Sequence, residues 1–306
     1  MMRILNKILC VFLIISFTTI WGCNDDNDDG DADIAAQLRQ KTDSLGLTGD
    51  PSAGRGVPDI NDPLPQLGMK LFFTKALGGE KDTACVSCHH PALAGGDALS
   101  LSIGVEAANP DLLGPGRIHS SGYPNVPRNA PTTFNSALWR RTIFWDGKIE
   151  SIAQFPNASE KDNSAIRTPD SPFGIADPKA GENLVMAQSR FPVTSVEEMR
   201  GAFLVGEENS AVRNHLAARI GDYGAGQYEL NPNQWMPEFQ EAFNSDEGAE
   251  TLITFKNITL AISEYERSQV FVNTPWRDFV QGDDNAISTS AKKGALLFFE
   301  STAAGG

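Results

Sequence analysis

The segment Cys85-Val86-Ser87-Cys88-His89 places two thiols three positions apart and an imidazole directly after the second thiol. A C-x-x-C-H segment is the attachment motif of a c-type haem. The two thiols add to the vinyl groups of one porphyrin, and the histidine binds the iron as its proximal ligand. Cys85, Cys88 and His89 are therefore the predicted haem-binding residues.

Two other chemistries use cysteine pairs with this spacing. Together with His90, the segment offers four zinc ligands by type, but the adjacent residues His89 and His90 rarely both reach one tetrahedral centre. A thioredoxin-like redox pair requires a surrounding βαβ pattern, which the sequence does not show. We therefore favour haem attachment, and we assign His90 to the surface or to a contact with a haem propionate.

The N-terminal residues are typical of an export signal. Basic residues precede an apolar run over residues 8–20, and residues 20–23 (Ile-Trp-Gly-Cys) resemble a bacterial lipobox. We predict a lipoprotein-type signal over residues 1–23 with a lipid on Cys23; ordinary secretion with removal of Cys23 is the alternative. The protein is thus expected in the periplasm or on the outer membrane or cell surface of a Gram-negative bacterium, held by its lipid anchor.

The formal net charge of −14 argues against nucleic acid as a partner. An acidic exported domain suits a basic electron donor, although the same charge also serves solubility alone. The acidic residues concentrate after the signal, and we predict a disordered tether over residues 24–47. Residues 25–36 imitate the start of a calcium-binding EF-hand loop, but Ala36 stands where that loop requires glutamate.

Apolar spacing predicts a mainly α-helical protein with long irregular loops, over residues 91–131 and 151–181 above all. The clearest helical stripe runs from Leu252 to Tyr265 with apolar residues every three or four positions. The predicted helices cover residues 66–75, 182–190, 195–203, 235–243, 250–270 and 290–300.

An internal repeat divides the chain. Residues 294–306 repeat the approach to the haem motif at residues 68–79, and the sequence stops where a second C-x-x-C-H would begin. We therefore expect a first cytochrome c-like domain over residues 48–205 and a second, incomplete one over residues 206–306. We also expect a full-length protein with a second haem; a genuinely mono-haem protein is the alternative.

Three further segments carry a family resemblance. They are Arg-Asn-Ala-Pro-Thr-Thr-Phe-Asn at residues 128–135, Phe-Trp-Asp-Gly-Lys at residues 144–148, and the glutamine, proline and glutamate positions between residues 188 and 198. With the haem motif, they make residues 60–306 resemble the bacterial di-haem cytochrome c peroxidase family, which includes MauG. The family has two cytochrome c-like domains, with a peroxidatic haem in the first and an electron-accepting haem in the second.

The resemblance implies roles for individual residues. Trp145 matches a tryptophan that relays electrons between the two haems, and Gln188, Pro192 and Glu198 match a distal pocket above the peroxidatic iron. Glu198 would move a proton from the near to the far peroxide oxygen, Gln188 would orient the peroxide, and Pro192 would keep the pocket edge rigid. From the residues alone, Glu198 also suits a helix cap.

The resemblance implies two more ligands. His119 lies in the loop where many family members hold a distal histidine that binds the resting iron, although an exposed loop histidine looks the same in sequence. Asn129 matches a ligand of a calcium ion held between the domains. For Trp145, ordinary core packing is the alternative.

The leading hypothesis is an exported peroxidase that reduces hydrogen peroxide to water with electrons from a small cytochrome c or cupredoxin. The resemblance leaves open a MauG-like oxidase acting on a partner protein, and it leaves open a homodimer. A mono-haem electron carrier is an alternative of another class, since such carriers pair the proximal histidine with an axial methionine. The methionines available for that role are Met69, Met186, Met199 and Met236.

Overall fold

The computed structural model of the chain describes residues 28–154 and 165–300. They fall into two units, one formed by residues 50–274 and the other by residues 28–49 with residues 275–300. The predicted signal and Cys23 lie outside the described residues. Within the described ranges, no helix is long and apolar enough to cross a membrane.

Helices dominate both units, so the prediction of a mainly α-helical protein is confirmed. A π-helix spans Val196–Arg200, and short 3-10 helices include Cys85–Ser87 and Pro192–Thr194. The α-helices of the described residues are α1 (Asp28–Ser44), α2 (Pro63–Phe73), α3 (Leu184–Gln188), α4 (Asn209–Gly221), α5 (Trp235–Phe243), α6 (Ala249–Leu252), α7 (Phe255–Ser268), α8 (Pro275–Val280) and α9 (Thr289–Phe299).

The core of the larger unit forms where α7 packs on α2. The helices approach closely because Gly68 has no side chain: a Cβ there would lie 1.9 Å from the Ala261 carbonyl oxygen. The predicted stripe on α7 is confirmed as core. Its buried residues and those of α2 are Leu67, Leu71, Phe72, Ile258, Ile262 and Tyr265.

The predicted boundary between residues 205 and 206 falls inside this unit. The physical reason is that the stripe on α7, which lies beyond that boundary, finds its partner surface on α2, which lies before it. Residues 206–274 therefore share a core with the segment that carries the haem motif. The assignment of residues 275–300 to a second cytochrome c-like domain stays a prediction.

A small antiparallel sheet was not anticipated. Its strands are β1 (Thr142–Ile143), β2 (Ile149–Ser151) and β3 (Ile166–Arg167), in the order β1-β2-β3. The β1–β2 connection is the Phe-Trp-Asp-Gly-Lys segment, which turns with positive φ at Phe144 (69°) and Gly147 (61°). The sheet thereby holds this segment in place.

The long loop over residues 91–131, described throughout, contains short 3-10 turns and isolated bridges as its regular structure. Arg117 fixes it from inside, since this side chain is 2% exposed. Its guanidinium donates hydrogen bonds to the carbonyls of Ile103 (2.9 Å), Gly104 (2.8 Å), Pro110 (3.1 Å) and Leu112 (3.2 Å).

The prediction of a disordered tether was wrong for residues 28–44, which form α1. In the unit of residues 28–49 and 275–300, Ala35 and Leu38 of α1 bury against Phe279. Charged side chains of α1 are also paired: Asp31 accepts from Lys292 at 2.6 Å, and Arg39 donates to Asp284 at 2.6 Å. Tertiary partners distant in sequence thus stabilise a helix whose composition suggested disorder.

Candidate active site

A cavity of about 580 Å³ lies within residues 50–274. Its volume is typical of a site for a small molecule or cofactor. One part of its lining, here called the cysteine wall, comes from residues 83–89 and 126–131. Another, here called the glutamate wall, comes from residues 188–199.

The cavity brings together most of the predicted site residues. The haem-motif side chains and the predicted distal set line the same space, and the cavity also includes Trp145 and Asn129. His119 is not among the residues that line it. The predicted residues that do line it are Cys85, Cys88, His89, Asn129, Trp145, Gln188, Pro192 and Glu198.

The His89 ring is oriented by the backbone. Its Nδ1 lies 3.1 Å from the Gly95 carbonyl oxygen. Because a carbonyl only accepts, Nδ1 carries the proton and donates, so Nε2 is the ring nitrogen available to bind a metal in the neutral imidazole. Burial lowers the pKa of His89, partly offset by the carbonyls of Gly95 and Pro131. The imidazole is therefore neutral near pH 7, which is the form that ligates iron.

The two cysteines sit on a tight turn. Cys85 begins the 3-10 helix, Cys88 follows it, and the His89 N–H donates to the Cys85 carbonyl at 3.0 Å. Both thiols are free of disulfides. Burial raises the pKa of both thiols, that of Cys88 to about 12, so both are protonated at neutral pH.

The zinc alternative gains no support. In residues 28–154 and 165–300, no group of three or more His, Cys, Asp or Glu side chains is placed to hold a metal ion. The Nδ1 atom of His90 accepts the Ala92 N–H at 3.0 Å and caps the following turn.

A c-type haem suits the residues present. Two free thiols and a neutral imidazole with a free Nε2 share one cavity, and apolar side chains suitable for a porphyrin face complete much of its lining. Those apolar residues include Val126, Phe144, Phe191, Met199 and Ile262.

Glu198 faces the cavity from the π-helix. Ser195 caps this helix, since its Oγ accepts the Glu198 N–H at 3.3 Å. The cap therefore uses the Glu198 backbone, while its carboxyl group lines the cavity. Burial raises the pKa of that carboxyl, Lys148 acts to lower it, and Glu197 acts to raise it.

The backbone around Glu198 is held by distant segments. A Cβ on Gly104 would lie 2.0 Å from the Glu197 carbonyl oxygen, so the loop can approach only without a side chain. That carbonyl accepts the Asn125 side-chain amide at 3.1 Å. The Gly79 N–H donates to the Met199 carbonyl at 2.7 Å. The position of Glu198 thus depends on contacts from far away in the sequence.

A buried ion-pair network supports the start of the glutamate wall. Arg190, which lies between Gln188 and Pro192, donates to Asp177 at 2.6 Å and to Asp170 at 3.1 Å. Asp177 also accepts the Thr168 hydroxyl at 2.6 Å. Burial alone raises the pKa of Asp177, but the hydrogen bonds from Thr168 and Arg190 bring it below its ordinary value.

Trp145 lies at the cavity rim with 99% of its surface exposed, so it is not a core residue. The same turn carries Lys148, whose Nζ stands 4.2 Å from the centre of the Phe144 ring. Asp146, also in this turn, pairs with Arg128 at 2.7 Å. The rim therefore combines an exposed aromatic ring with charged side chains.

Of the two further predicted ligands, Asn129 lines the cavity and His119 does not. The Nδ1 atom of His119 lies 2.7 Å from the Ser121 hydroxyl, and its Nε2 lies 3.7 Å from Glu106, outside the cavity. Asn129 lines the cavity, and its side-chain amide donates to the Leu99 carbonyl at 2.5 Å.

Sequence reasoning gave no role to Glu266 and Lys148, two ionisable residues that line this cavity. Glu266 on α7 is 6% exposed, and burial raises its pKa to about 8. A signal existed, because Glu266 follows Ile258 and Ile262 at helical spacing on the apolar stripe. Lys148 ended the recognised Phe-Trp-Asp-Gly-Lys segment but was given no role.

Comparison with known proteins identifies the family of the chain. The family model described as di-haem cytochrome c peroxidase matches residues 63–285. The chain is 24% identical over 248 residues to cytochrome c551 peroxidase of Pseudomonas aeruginosa, covering 81% of this chain and 50% of that protein. It is 25% identical over 245 residues to the methylamine utilization protein MauG of Methylorubrum extorquens, covering 79% and 48%.

Among solved structures, a MauG-like protein associated with microbial copper homeostasis matches with a TM-score of 0.48 and 20% identity. The match covers 80% of this chain and 53% of that one. The chain belongs to the di-haem cytochrome c peroxidase family. It spans about half the length of the curated relatives named above.

Proposed function

We propose that this chain carries the peroxide-reducing site of an exported c-type haem peroxidase. Cys85 and Cys88 would hold the haem covalently, and His89 would bind its iron through Nε2. The observation that carries the proposal is that one cavity contains both the haem motif and the Glu198 carboxyl. Among the described residues, no hydrogen bond occupies that carboxyl, so it is free to handle a proton.

When bound, the haem supplies the iron at which the peroxide O–O bond is cleaved. Glu198 accepts the proton of the near peroxide oxygen and delivers it to the far oxygen. The Gln188 side-chain amide orients the peroxide by hydrogen bonding. Pro192 provides an edge of the pocket with no competing N–H. The overall reduction consumes hydrogen peroxide, two electrons and two protons, and it yields two water molecules.

The electrons would come from a small cytochrome c or cupredoxin, and the exposed Trp145 is the proposed entry point. Half-length coverage of the relatives supports a longer protein with a second haem. The lipid on Cys23, the periplasmic or surface location, a calcium ion at Asn129 and a homodimer are part of the same proposal. Because His119 lies outside the cavity, we assign it no ligand role.

Met199 supports a second candidate, a mono-haem electron carrier. It is buried and lines the cavity beside Glu198, so it is the methionine that the structure offers as an axial ligand. A MauG-like oxidase acting on a partner protein would use the same haem and the same Glu198 as the peroxidase.

The test is the rate of peroxide consumption by the haem-loaded chain with a chemical electron donor. Glu198→Gln should lower that rate by about 10²–10⁴-fold, because a positioned acid–base group contributes about that much. Glu197→Gln is the matched control, since its side chain is exposed and does not line the cavity.

Equal rates in both variants would remove Glu198 from the mechanism. If the parent does not consume peroxide at all and Met199→Ala changes the reduced haem spectrum, the electron carrier is the better description.

A further inference from the structure

Glu266 is a second glutamate of the cavity, and peroxide chemistry gives it no task. It lies on α7 one turn after Ile262, and it lines the cavity while only 6% exposed. No hydrogen bond or ion pair reaches its carboxyl group in the part of the chain that the structure describes. An unpartnered buried carboxyl is costly unless it is neutral or meets a charge supplied by the cavity's occupant.

Among residues 28–154 and 165–300, no cation compensates the Glu266 carboxyl. Arg128 is paired with Asp146, and Lys148 acts on Glu198. On its own helix the neighbouring ionisable residues are Tyr265 and the buried pair of Arg267 with Glu264, in which the cation is already taken by the other carboxylate. On the cysteine wall the neighbouring titratable group is Cys85. The charged or titratable side chains that line the same cavity are Cys88, His89, Arg128, Asp146, Lys148 and Glu198.

The two cavity glutamates therefore differ in kind. Glu198 is half-buried and feels the opposing cation Lys148. Burial alone accounts for the rise of the Glu266 pKa to about 8, so this group is protonated at neutral pH and ionises under mildly alkaline conditions. A nearby positive charge in the same low-dielectric space would favour its ionised form.

We propose that Glu266 is a redox-linked proton site, which releases its proton when the haem held by Cys85, Cys88 and His89 is oxidised. This inference rests on haem attachment, but it does not depend on peroxide reduction. The electron removed from the haem would be taken up by a small redox protein or, in vitro, by a soluble mediator. The Glu266 O–H bond breaks, its electron pair stays on the carboxylate, and the proton leaves to water through the cavity.

The physical reason is electrostatic. Oxidation adds one positive charge within the cavity, and this charge stabilises the ionised carboxylate. By linkage, an ionised Glu266 stabilises the oxidised haem to the same extent. The reduction potential should therefore fall as pH rises through the range in which Glu266 loses its proton.

The experiment measures the midpoint potential of the haem-loaded chain between pH 6 and pH 10 with soluble mediators and no peroxide. The parent should show a potential that falls with rising pH in the alkaline part of this range. Glu266→Gln should abolish that fall, because the amide keeps the size of the side chain but does not titrate. Glu266→Asp should restore a pH-dependent fall.

Two controls separate Glu266 from other carboxyls. Glu197→Gln changes an exposed neighbour of the cavity, and Glu198→Gln changes the other cavity glutamate; both should keep the alkaline fall. As a direct readout, the infrared difference spectrum between reduced and oxidised states should contain a carboxyl C=O band that Glu266→Gln removes. If Glu266→Gln does not fold, Glu266→Met serves the same comparison.

An unchanged slope and an unchanged C=O band in Glu266→Gln would overturn the inference and leave the peroxidase proposal intact. If the parent does not reduce peroxide but its midpoint potential still falls with pH through Glu266, the peroxidase proposal fails and this inference stands. A chain that attaches no haem would overturn both proposals.

Discussion

The two walls of the cavity are built in different ways. On the cysteine wall, the haem-binding side chains belong to five consecutive residues, and their turn is closed locally by the His89 N–H on the Cys85 carbonyl at 3.0 Å. On the glutamate wall, Glu198 is held by segments about 70 to 120 residues away, including Gly104 and Gly79. One wall is thus specified by a motif and the other by packing.

The largest change in the free energy of unfolding is expected at the buried ion pairs that support the glutamate wall. Asp177→Asn removes the 2.6 Å partner of the buried Arg190, which keeps Asp170 at 3.1 Å. We therefore expect a loss of about 3 kcal/mol, the lower end of the cost of breaking a buried ion pair. Urea unfolding of the haem-loaded chain measures this loss. The matched control is Asp146→Asn at the exposed pair with Arg128, which should change the free energy of unfolding by no more than about 1 kcal/mol.

The same pair predicts a pH dependence. The pKa of Asp177 is lowered in the folded chain, so its ionised form contributes stability above the ordinary pKa of 3.8. That contribution is lost as pH falls below this value and through the folded-state pKa. The parent should therefore lose stability on acidification more steeply than Asp177→Asn. Parallel curves for the two chains would show that this carboxylate is not stabilised by its partners.

Matched glycine substitutions compare the two walls directly. Gly104→Ala places a Cβ 2.0 Å from the Glu197 carbonyl, and such overpacking typically costs about 1–3 kcal/mol. Gly96→Ala, beside the haem motif, meets nothing closer than 3.7 Å and should stay within about 0.5 kcal/mol of the parent. Thermal and urea unfolding provide the values.

Activity sharpens this glycine comparison. Gly104→Ala should also slow peroxide consumption, because the π-helix that carries Glu198 must shift to admit the methyl group. Gly96→Ala should retain the parent's rate. Equal stability and equal rates for the two variants would mean that close approach at Gly104 does not position Glu198.

The same contrast explains what the sequence could predict. The haem motif and the stripe on α7 are contiguous or periodic, so both can be recognised in the amino-acid sequence alone, and α5 begins and ends at the expected residues. The strands β1 to β3 contain two or three residues each, which is too short for alternation to be visible. The position of Trp145 and Lys148 at the cavity rim, which depends on these strands, could therefore not be predicted.

Other misses came from partners distant in sequence. Composition suggested disorder for α1, whose acidic residue Asp31 pairs with Lys292 in the same unit. The core that residues 206–274 share with α2 was not predicted, because a stripe on α7 does not reveal which helix will cover it. The helical spacing of Glu266 on the apolar stripe indicates that this residue is buried, but it does not reveal that a cavity lies beside it.

The smallest expected effect concerns the tuning of Glu198 by Lys148. Burial raises the pKa of Glu198 and Lys148 opposes this rise, so removing the cation should raise that pKa further. In Lys148→Met, the acidic limb of the pH–rate profile for peroxide consumption should therefore move to higher pH. Lys148→Arg keeps the charge over the Phe144 ring and should restore the parent's profile.

A merely structural role for Lys148 would lower the rate equally at all pH values, without moving the limb. Coincident profiles for the methionine and arginine variants would mean that the charge does not act on Glu198. A shift confined to the methionine variant would show that the glutamate wall is adjusted by a residue from the β1–β2 turn. The cysteine wall should not respond, because the His89 ring is held by the Gly95 carbonyl. The haem spectra of both Lys148 variants should therefore match that of the parent.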